Sequence, residues 1–133
     1  MNQAEQKQTV LVLDDDAAML RGVRNLLRSA GYEAIAYQSP AEFLDGADFE
    51  CASCVVVDVS MPVMDGFEIH DELSRRGVRV PVIVMSGVPS DEAEARATAA
   101  GILSYFSKPF DEEEFLAAVE RASGARGSAT KAD

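Results

Sequence analysis

Four short apolar runs that each lead into a polar or charged side chain constrain the fold of this chain most. The runs and the groups that follow them are Val10–Leu13 with Asp14, Cys54–Val57 with Asp58, Val80–Met85 with Ser86, and Ile102–Phe106 with Lys108. A strand that is apolar at every position is typical of a parallel sheet covered on both faces. The carboxyl ends of parallel strands meet at one edge, where open α/β sheets hold ligands. The pattern therefore predicts a site at that edge with two acids, a hydroxyl and an amine.

Helical periodicity fills the segments between these runs. Apolar residues at helical spacing follow the first run, and the expected helix starts lie after Ser39, near Gly66, at Ser90 and at Asp111. Tyr32–Tyr37 supplies one more strand. The alternation predicts an α/β fold: a five-stranded parallel sheet, doubly wound, with flavodoxin-like (βα)5 topology. We expect residues 1–8 to be a flexible N-terminus, residues 9–122 to form one domain, and residues 123–133, rich in Gly, Ala, Ser and Thr, to be a flexible tail.

Composition narrows the classes of partner. The net charge is −11, with 23 acidic and 12 basic residues, and such a surface opposes a nucleic-acid backbone. The polar segment Met1–Gln8 lacks the apolar stretch of a signal peptide, and no apolar run approaches the ~20 residues that span a bilayer. We therefore expect a cytoplasmic protein that binds neither nucleic acid nor membrane.

An acidic triplet, Asp14, Asp15 and Asp16, ends the first apolar run. Clustered carboxylates repel one another, which is costly unless a cation neutralises them. Such a triplet can also be no more than a helix N-cap, and we expect this role of Asp16. For Asp14 and Asp15 together with Asp58, the prediction is a metal site.

The cysteine pair and the single histidine predict no further site. Cys51 and Cys54 have the Cys-x-x-Cys spacing of redox motifs, but Cys54 leads into a strand rather than opening a helix, which favours a buried structural residue. One cysteine pair lacks the ligands of a tetrahedral zinc site. His70 lies beside Ile69 and Leu73 on a predicted helix and is interpreted as a boundary residue.

Taken in order, these motifs resemble the receiver domain of two-component response regulators. The resemblance covers residues 9–122 and is carried by Asp14-Asp15, by Asp58-Val59-Ser60-Met61-Pro62 with Met64-Asp65-Gly66, by Met85-Ser86-Gly87, and by Lys108-Pro109-Phe110. Leu13-Asp14-Asp15-Asp16 with Met85-Ser86-Gly87 is most similar to receivers of the nitrogen-fixation regulator type. The resemblance implies a receiver, a phosphorylated switch protein of a phosphorelay. We expect a single-domain receiver, because the ~10 residues after the domain could not hold a DNA-binding module.

The resemblance also implies the roles of individual residues. Asp58 would accept the phosphoryl group, and Asp14, Asp15, Asp58 and the backbone carbonyl of Ser60 would hold Mg²⁺, which suits an open oxygen site. Lys108 would pair with a phosphoryl oxygen as a point charge. Pro109 matches a cis proline of the family.

The same resemblance implies a switch and its partners. Ser86 would donate a hydrogen bond to the phosphoryl group, and Tyr105 would report phosphorylation by changing rotamer, although simple packing is an equal alternative. A sensor histidine kinase or a histidine phosphotransfer protein would be the donor. A downstream protein or a second copy would bind the face of helix 4, strand 5 and helix 5.

Two other functions stay open at this point. A small Mg²⁺-dependent phosphohydrolase could use Asp58 as nucleophile, but the segment lacks the second aspartate two residues on that such phosphatases use. A receiver-like interaction module that is never phosphorylated would not need the acid, hydroxyl and lysine set. The reading that we adopt is a signalling receiver that catalyses only its own phosphorylation and dephosphorylation, and no reaction of a metabolite.

Overall fold

The computed structural model describes residues 7–88 and 90–131, with side chains up to residue 124, and contains one sheet and five helices in strict alternation. The strands are β1 Thr9–Leu13, β2 Glu33–Tyr37, β3 Ala52–Asp58, β4 Val82–Ser86 and β5 Ser104–Ser107. The helices are α1 Ala17–Ser29, α2 Pro40–Gly46, α3 Gly66–Arg75, α4 Asp91–Ala100 and α5 Glu112–Lys131.

All neighbouring strands pair in parallel, in the order β2-β1-β3-β4-β5. This order reverses direction after β1, so helices cover both faces, and the predicted doubly wound (βα)5 fold is confirmed. The register places Leu13 beside Val57, Asp58 beside Met85, and Ser86 beside Ser107. The residues at or just beyond these positions therefore share the carboxyl edge of the sheet.

Two apolar layers enclose the sheet, because the central strands are apolar on both sides. Val55 and Val57 of β3 face one layer, which α2, α3 and α4 complete, and Cys54 and Val56 face the other, with α1 and α5. The four side chains are fully buried. Strand β3, which is buried along its whole length, carries Asp58 at its end.

Local sequence sets the helix ends. Asp16 caps α1 by accepting hydrogen bonds from the N–H groups of Ala18 and Met19, as expected of this residue. Ser39 and Ser90 cap α2 and α4 in the same way. Gly101 follows α4 with φ of 82°, a left-handed conformation that suits glycine.

Helix α5 continues through residues 123–131. The flexibility that the composition predicts for this segment stays a prediction. Ser123 is buried, and its hydroxyl donates to Ser53 Oγ, which donates to the carbonyl of Thr9. This contact holds the helix on the sheet at residue 123. The composition of the segment, rich in Gly, Ala, Ser and Thr, did not indicate it.

Residues 1–6 of the expected N-terminus and 132–133 of the expected tail lie outside the described residues. No described helix is both long and apolar enough to cross a membrane.

Candidate functional site

Three aspartates gather at the carboxyl edge of the sheet, where β1 and β3 lie side by side. Asp14 and Asp58 are buried, whereas Asp15 is exposed. One carboxylate oxygen from each residue lies within 4.8 Å of the other two. The edge therefore concentrates negative charge on two adjacent strand ends.

Lys108 supplies the positive charge at this cluster, from the loop that follows β5. Its Nζ lies 3.1 Å from Asp14 Oδ2 and 3.1 Å from Asp58 Oδ1. Only the contact with Asp14 has hydrogen-bond geometry, and Asp58 Oδ1 has no aligned donor among the described residues. The contact with Asp58 is thus an ion pair that leaves this oxygen without a directed hydrogen bond.

Burial and neighbouring charge shift the pKa values in this cluster. Burial raises the pKa of the Asp58 carboxyl above its ordinary value, the close contact with the Lys108 ammonium opposes this, and the charge of Asp14 adds to it. Burial alone would lower the pKa of Lys108, but its close contacts with the Asp14 and Asp58 carboxylates outweigh this effect, and the pKa is raised. Lys108 is therefore a permanent cation, while Asp58 carries an electrostatic cost when ionised.

Ser86 closes a small ring with the loop between β4 and α4. The side chain is buried at the end of β4, and its hydroxyl donates to the carbonyl of Val88 at 2.9 Å. The same oxygen accepts the N–H of Val88 at 3.2 Å. A hydroxyl has one proton to donate. Its donation to a bound ligand would therefore require release of the Val88 carbonyl.

The loop after Asp58 is held by close backbone contacts. The N–H of Val59 donates to the carbonyl of Met85 at 2.7 Å, and the N–H of Gly66 donates to the carbonyl of Val59 at 3.2 Å. A Cβ at Gly66 would lie 2.8 Å from the Asp58 carbonyl oxygen, closer than real Cβ contacts. Gly66 is thus needed for close approach. The sequence predicted only a helix start at this position. The signal that could have revealed the close approach is a glycine directly after the capping acid Asp65.

The donor set fits a hard divalent cation. Three carboxylates within reach of one ion face a single lysine, so the cluster keeps excess negative charge. Oxygen-only ligands on an edge that is partly exposed at Asp15 are typical of Mg²⁺ sites, in which the ion keeps several waters. Ser60 lies in the adjoining loop, exposed, and a backbone hydrogen bond from it lowers the pKa of Asp58.

The remaining residues singled out from the sequence are not members of the carboxylate cluster. Tyr105 is half-buried against the layer of α2, α3 and α4, and its hydroxyl is shielded from solvent with no hydrogen-bond partner among the described residues. His70 is half-buried on α3.

The two cysteines both have raised thiol pKa values. Burial raises the pKa of Cys54 to about 12. Cys51 is exposed beside Asp48, and a hydrogen bond with Asp48 raises the pKa of its thiol. Both shifts disfavour the reactive thiolate, and the burial of Cys54 in β3 agrees with the structural role predicted for it. The Lys108–Pro109 peptide bond is cis, as the resemblance implied.

Comparison with known proteins identifies the group to which this arrangement belongs. The sequence model of the response regulator receiver domain matches residues 10–120. The chain belongs to the response regulator receiver domain family. The family and the fold agree with the resemblance found in the sequence.

Three relatives show how far the similarity extends. Response regulator protein TodT of Pseudomonas putida is 33% identical over 119 residues, which are 90% of this chain and 52% of that protein. Transcriptional regulatory protein FixJ of Azorhizobium caulinodans is 36% identical over 115 residues, 86% of this chain and 54% of that protein. The solved structure of response regulator StyR has a TM-score of 0.88 and 33% identity, covering 96% of this chain and 64% of the StyR chain. The chain spans about half the length of the curated relatives it matches.

Proposed function

We propose that this receiver domain accepts a phosphoryl group on Asp58 in an Mg²⁺-dependent reaction. The observation that carries the proposal is the buried Asp58 carboxylate with Lys108 Nζ at 3.1 Å and two further aspartates around it. Asp14, Asp15 and Asp58, with the backbone carbonyl of Ser60, would hold the ion. When bound, Mg²⁺ neutralises charge on the carboxylates and on the phosphoryl oxygens.

The chemistry is a transfer between two nucleophiles. An Asp58 carboxylate oxygen attacks the phosphorus of a phosphohistidine, the P–N bond breaks, and its electron pair stays on the imidazole nitrogen. An acyl phosphate forms on Asp58. Such a reaction depends mainly on positioning and charge neutralisation, which a fixed carboxylate and a nearby cation supply.

Lys108 and Ser86 exchange partners in this proposal. Lys108 gives up its ion pair with Asp58 and pairs with a phosphoryl oxygen, while the hydrogen bond to Asp14 keeps it in place. Ser86 moves its hydroxyl proton from the Val88 carbonyl to a second phosphoryl oxygen. The loss of the Ser86–Val88 ring and a rotamer change of Tyr105 carry the change to the face of α4, β5 and α5.

Membership of the receiver family supports our proposal for the donor and the reader of this switch. A sensor histidine kinase or a histidine phosphotransfer protein supplies the phosphoryl group. A downstream protein or a second copy of the chain reads the face of α4, β5 and α5. Hydrolysis of the acyl phosphate returns the domain to its resting state, and the domain is not an enzyme that acts on a metabolite.

Labelling with acetyl phosphate and Mg²⁺ tests the assignment. Intact-protein mass spectrometry should show one added phosphoryl group on the parent and none on Asp58→Ala, and Lys108→Ala should be labelled much more slowly. Asp71→Asn, on the exposed side of α3, is the matched control and should be labelled like the parent. Full labelling of Asp58→Ala would overturn the assignment of the acceptor, and a parent that is never labelled would favour an inert interaction module.

A further inference from the structure

Helix α4 lies on the domain with a small apolar face. Ala97 is its buried residue, and Ala93 is partly buried against the same layer. Hydrophobic stabilisation grows with the apolar area removed from water, and an alanine methyl group removes little. Contacts other than the burial of these two alanine methyl groups therefore decide much of where α4 rests.

Arg96 provides one such contact on α4. Its guanidinium carbon lies 4.4 Å from the centroid of the Phe67 ring on α3, within cation–π range. Phe67 is buried, with 4% of its surface exposed, while Arg96 is exposed. Among the described residues, no carboxylate lies within ion-pair distance of Arg96. The ring face is thus the identified partner of this charge.

Phe67 is attached to the loop that carries Asp58. It directly follows Gly66, which approaches the Asp58 carbonyl too closely to admit a Cβ. The first turn of α3 is further held by a capping box, in which Asp65 accepts from the Glu68 N–H and Glu68 accepts from the Asp65 N–H. The Phe67 ring is therefore in a fixed position relative to the Asp58 backbone.

We propose that Arg96 and Phe67 form a tether that holds α4 in its resting position against the loop after Asp58. The tether stabilises the resting arrangement of α4, so its removal raises the fraction of molecules in other arrangements. This consequence for signalling rests on the proposed function, since a more readily displaced α4 should make the phosphorylated arrangement easier to reach. Arg96 is a positioning residue in this proposal, because it does not touch the reacting atoms.

Amide hydrogen exchange of the unlabelled protein tests the tether without any phosphoryl chemistry. Arg96→Gln keeps an aliphatic stem and removes the charge, and it should speed exchange of the α4 amides about two- to fivefold, the effect of an exposed cation–π contact. Exchange in β1 and β3 should not change. Arg79→Gln, at an exposed position before β4, removes the same charge and should leave α4 as in the parent.

A double-mutant cycle assigns the effect to the ring. Phe67→Leu removes the aromatic face, and Arg96→Gln should then add no further increase in α4 exchange. Three results would overturn the tether. Arg96→Gln could speed α4 exchange equally in both backgrounds, it could speed exchange in neither, or Arg79→Gln could speed α4 exchange as much as Arg96→Gln does.

The rate of labelling by acetyl phosphate tests the consequence for signalling. Arg96→Gln should be labelled faster than the parent and Arg79→Gln at the parental rate. Unchanged labelling of Arg96→Gln together with faster α4 exchange would overturn the link to signalling and leave the tether standing. Failure to label the parent at all would refute the proposed function, while the exchange result would still decide the tether.

Discussion

Replacing Asp58 with asparagine should stabilise the metal-free domain, because the ionised carboxylate is buried in a cluster of like charge. The Asp14 carboxylate lies within 4.8 Å of the Asp58 carboxylate, and at this distance it repels the Asp58 charge by about 3.5 kcal/mol if the effective dielectric constant is about 20. With the same dielectric constant, Lys108 at 3.1 Å attracts the Asp58 charge by about 5 kcal/mol. Asp15 is exposed, so its smaller repulsion is screened by solvent. The attraction exceeds the repulsion by about 2 kcal/mol. The cost of burying a carboxylate is several kcal/mol, so it outweighs this net attraction and decides the sign.

We expect Asp58→Asn to gain about 1–2 kcal/mol at pH 8 without Mg²⁺, a rise in melting temperature of about 3–8 °C for a domain of this size. The gain should depend on pH. The pKa of Asp58 in the folded domain is raised above its ordinary value of 3.8. The destabilisation of the parent is therefore absent below that value and grows as the pH rises through the folded pKa. The difference between the two proteins should shrink towards pH 4.

Thermal melts at several pH values, with and without Mg²⁺, measure this difference. Asp71→Asn is the control for loss of one negative charge at an exposed site. Added Mg²⁺ should stabilise the parent more than Asp58→Asn, because the variant has lost a ligand. A variant that is less stable than the parent at pH 8 without metal, or a gain that does not change with pH, would refute the reasoning.

Three further substitutions test the rest of the structure. Gly66→Ala should lower the free energy of unfolding in urea by about 1–3 kcal/mol, because the new Cβ displaces the loop of the phosphoacceptor. The same variant should be labelled more slowly by acetyl phosphate. Gly46→Ala is the control and should be neutral, because a Cβ there meets nothing within 4 Å. Ser123→Ala should cost about 1 kcal/mol through the lost bond to Ser53, and a chain ending at residue 122 that is as stable as the whole chain would contradict this. Val88→Glu should speed loss of the phosphoryl group, followed by mass spectrometry, because a carboxylate can hold the attacking water; equal or slower decay would argue against it.

Much of the fold and the composition of the site followed from local patterns. Uninterrupted apolar runs predicted buried parallel strands, and a parallel sheet places all strand ends on one edge. The gathering of Asp14, Asp58, Ser86 and Lys108 was therefore predictable without any knowledge of packing. The cap at Asp16 was predictable for the same reason, since a cap depends on residues two or three positions away.

Contacts between distant segments were decided only by the tertiary structure. Asp14 is buried and Asp15 exposed, although they are neighbours in sequence, because successive side chains at a strand end point to different sides. The continuation of α5 through Ser123 and the stacking of Arg96 on Phe67 depend on segments that meet only after the helices pack on the sheet. Periodicity along the chain reports which face of an element is buried. It carries no information on which side chain of another element lies opposite, because that depends on how the two elements pack against each other.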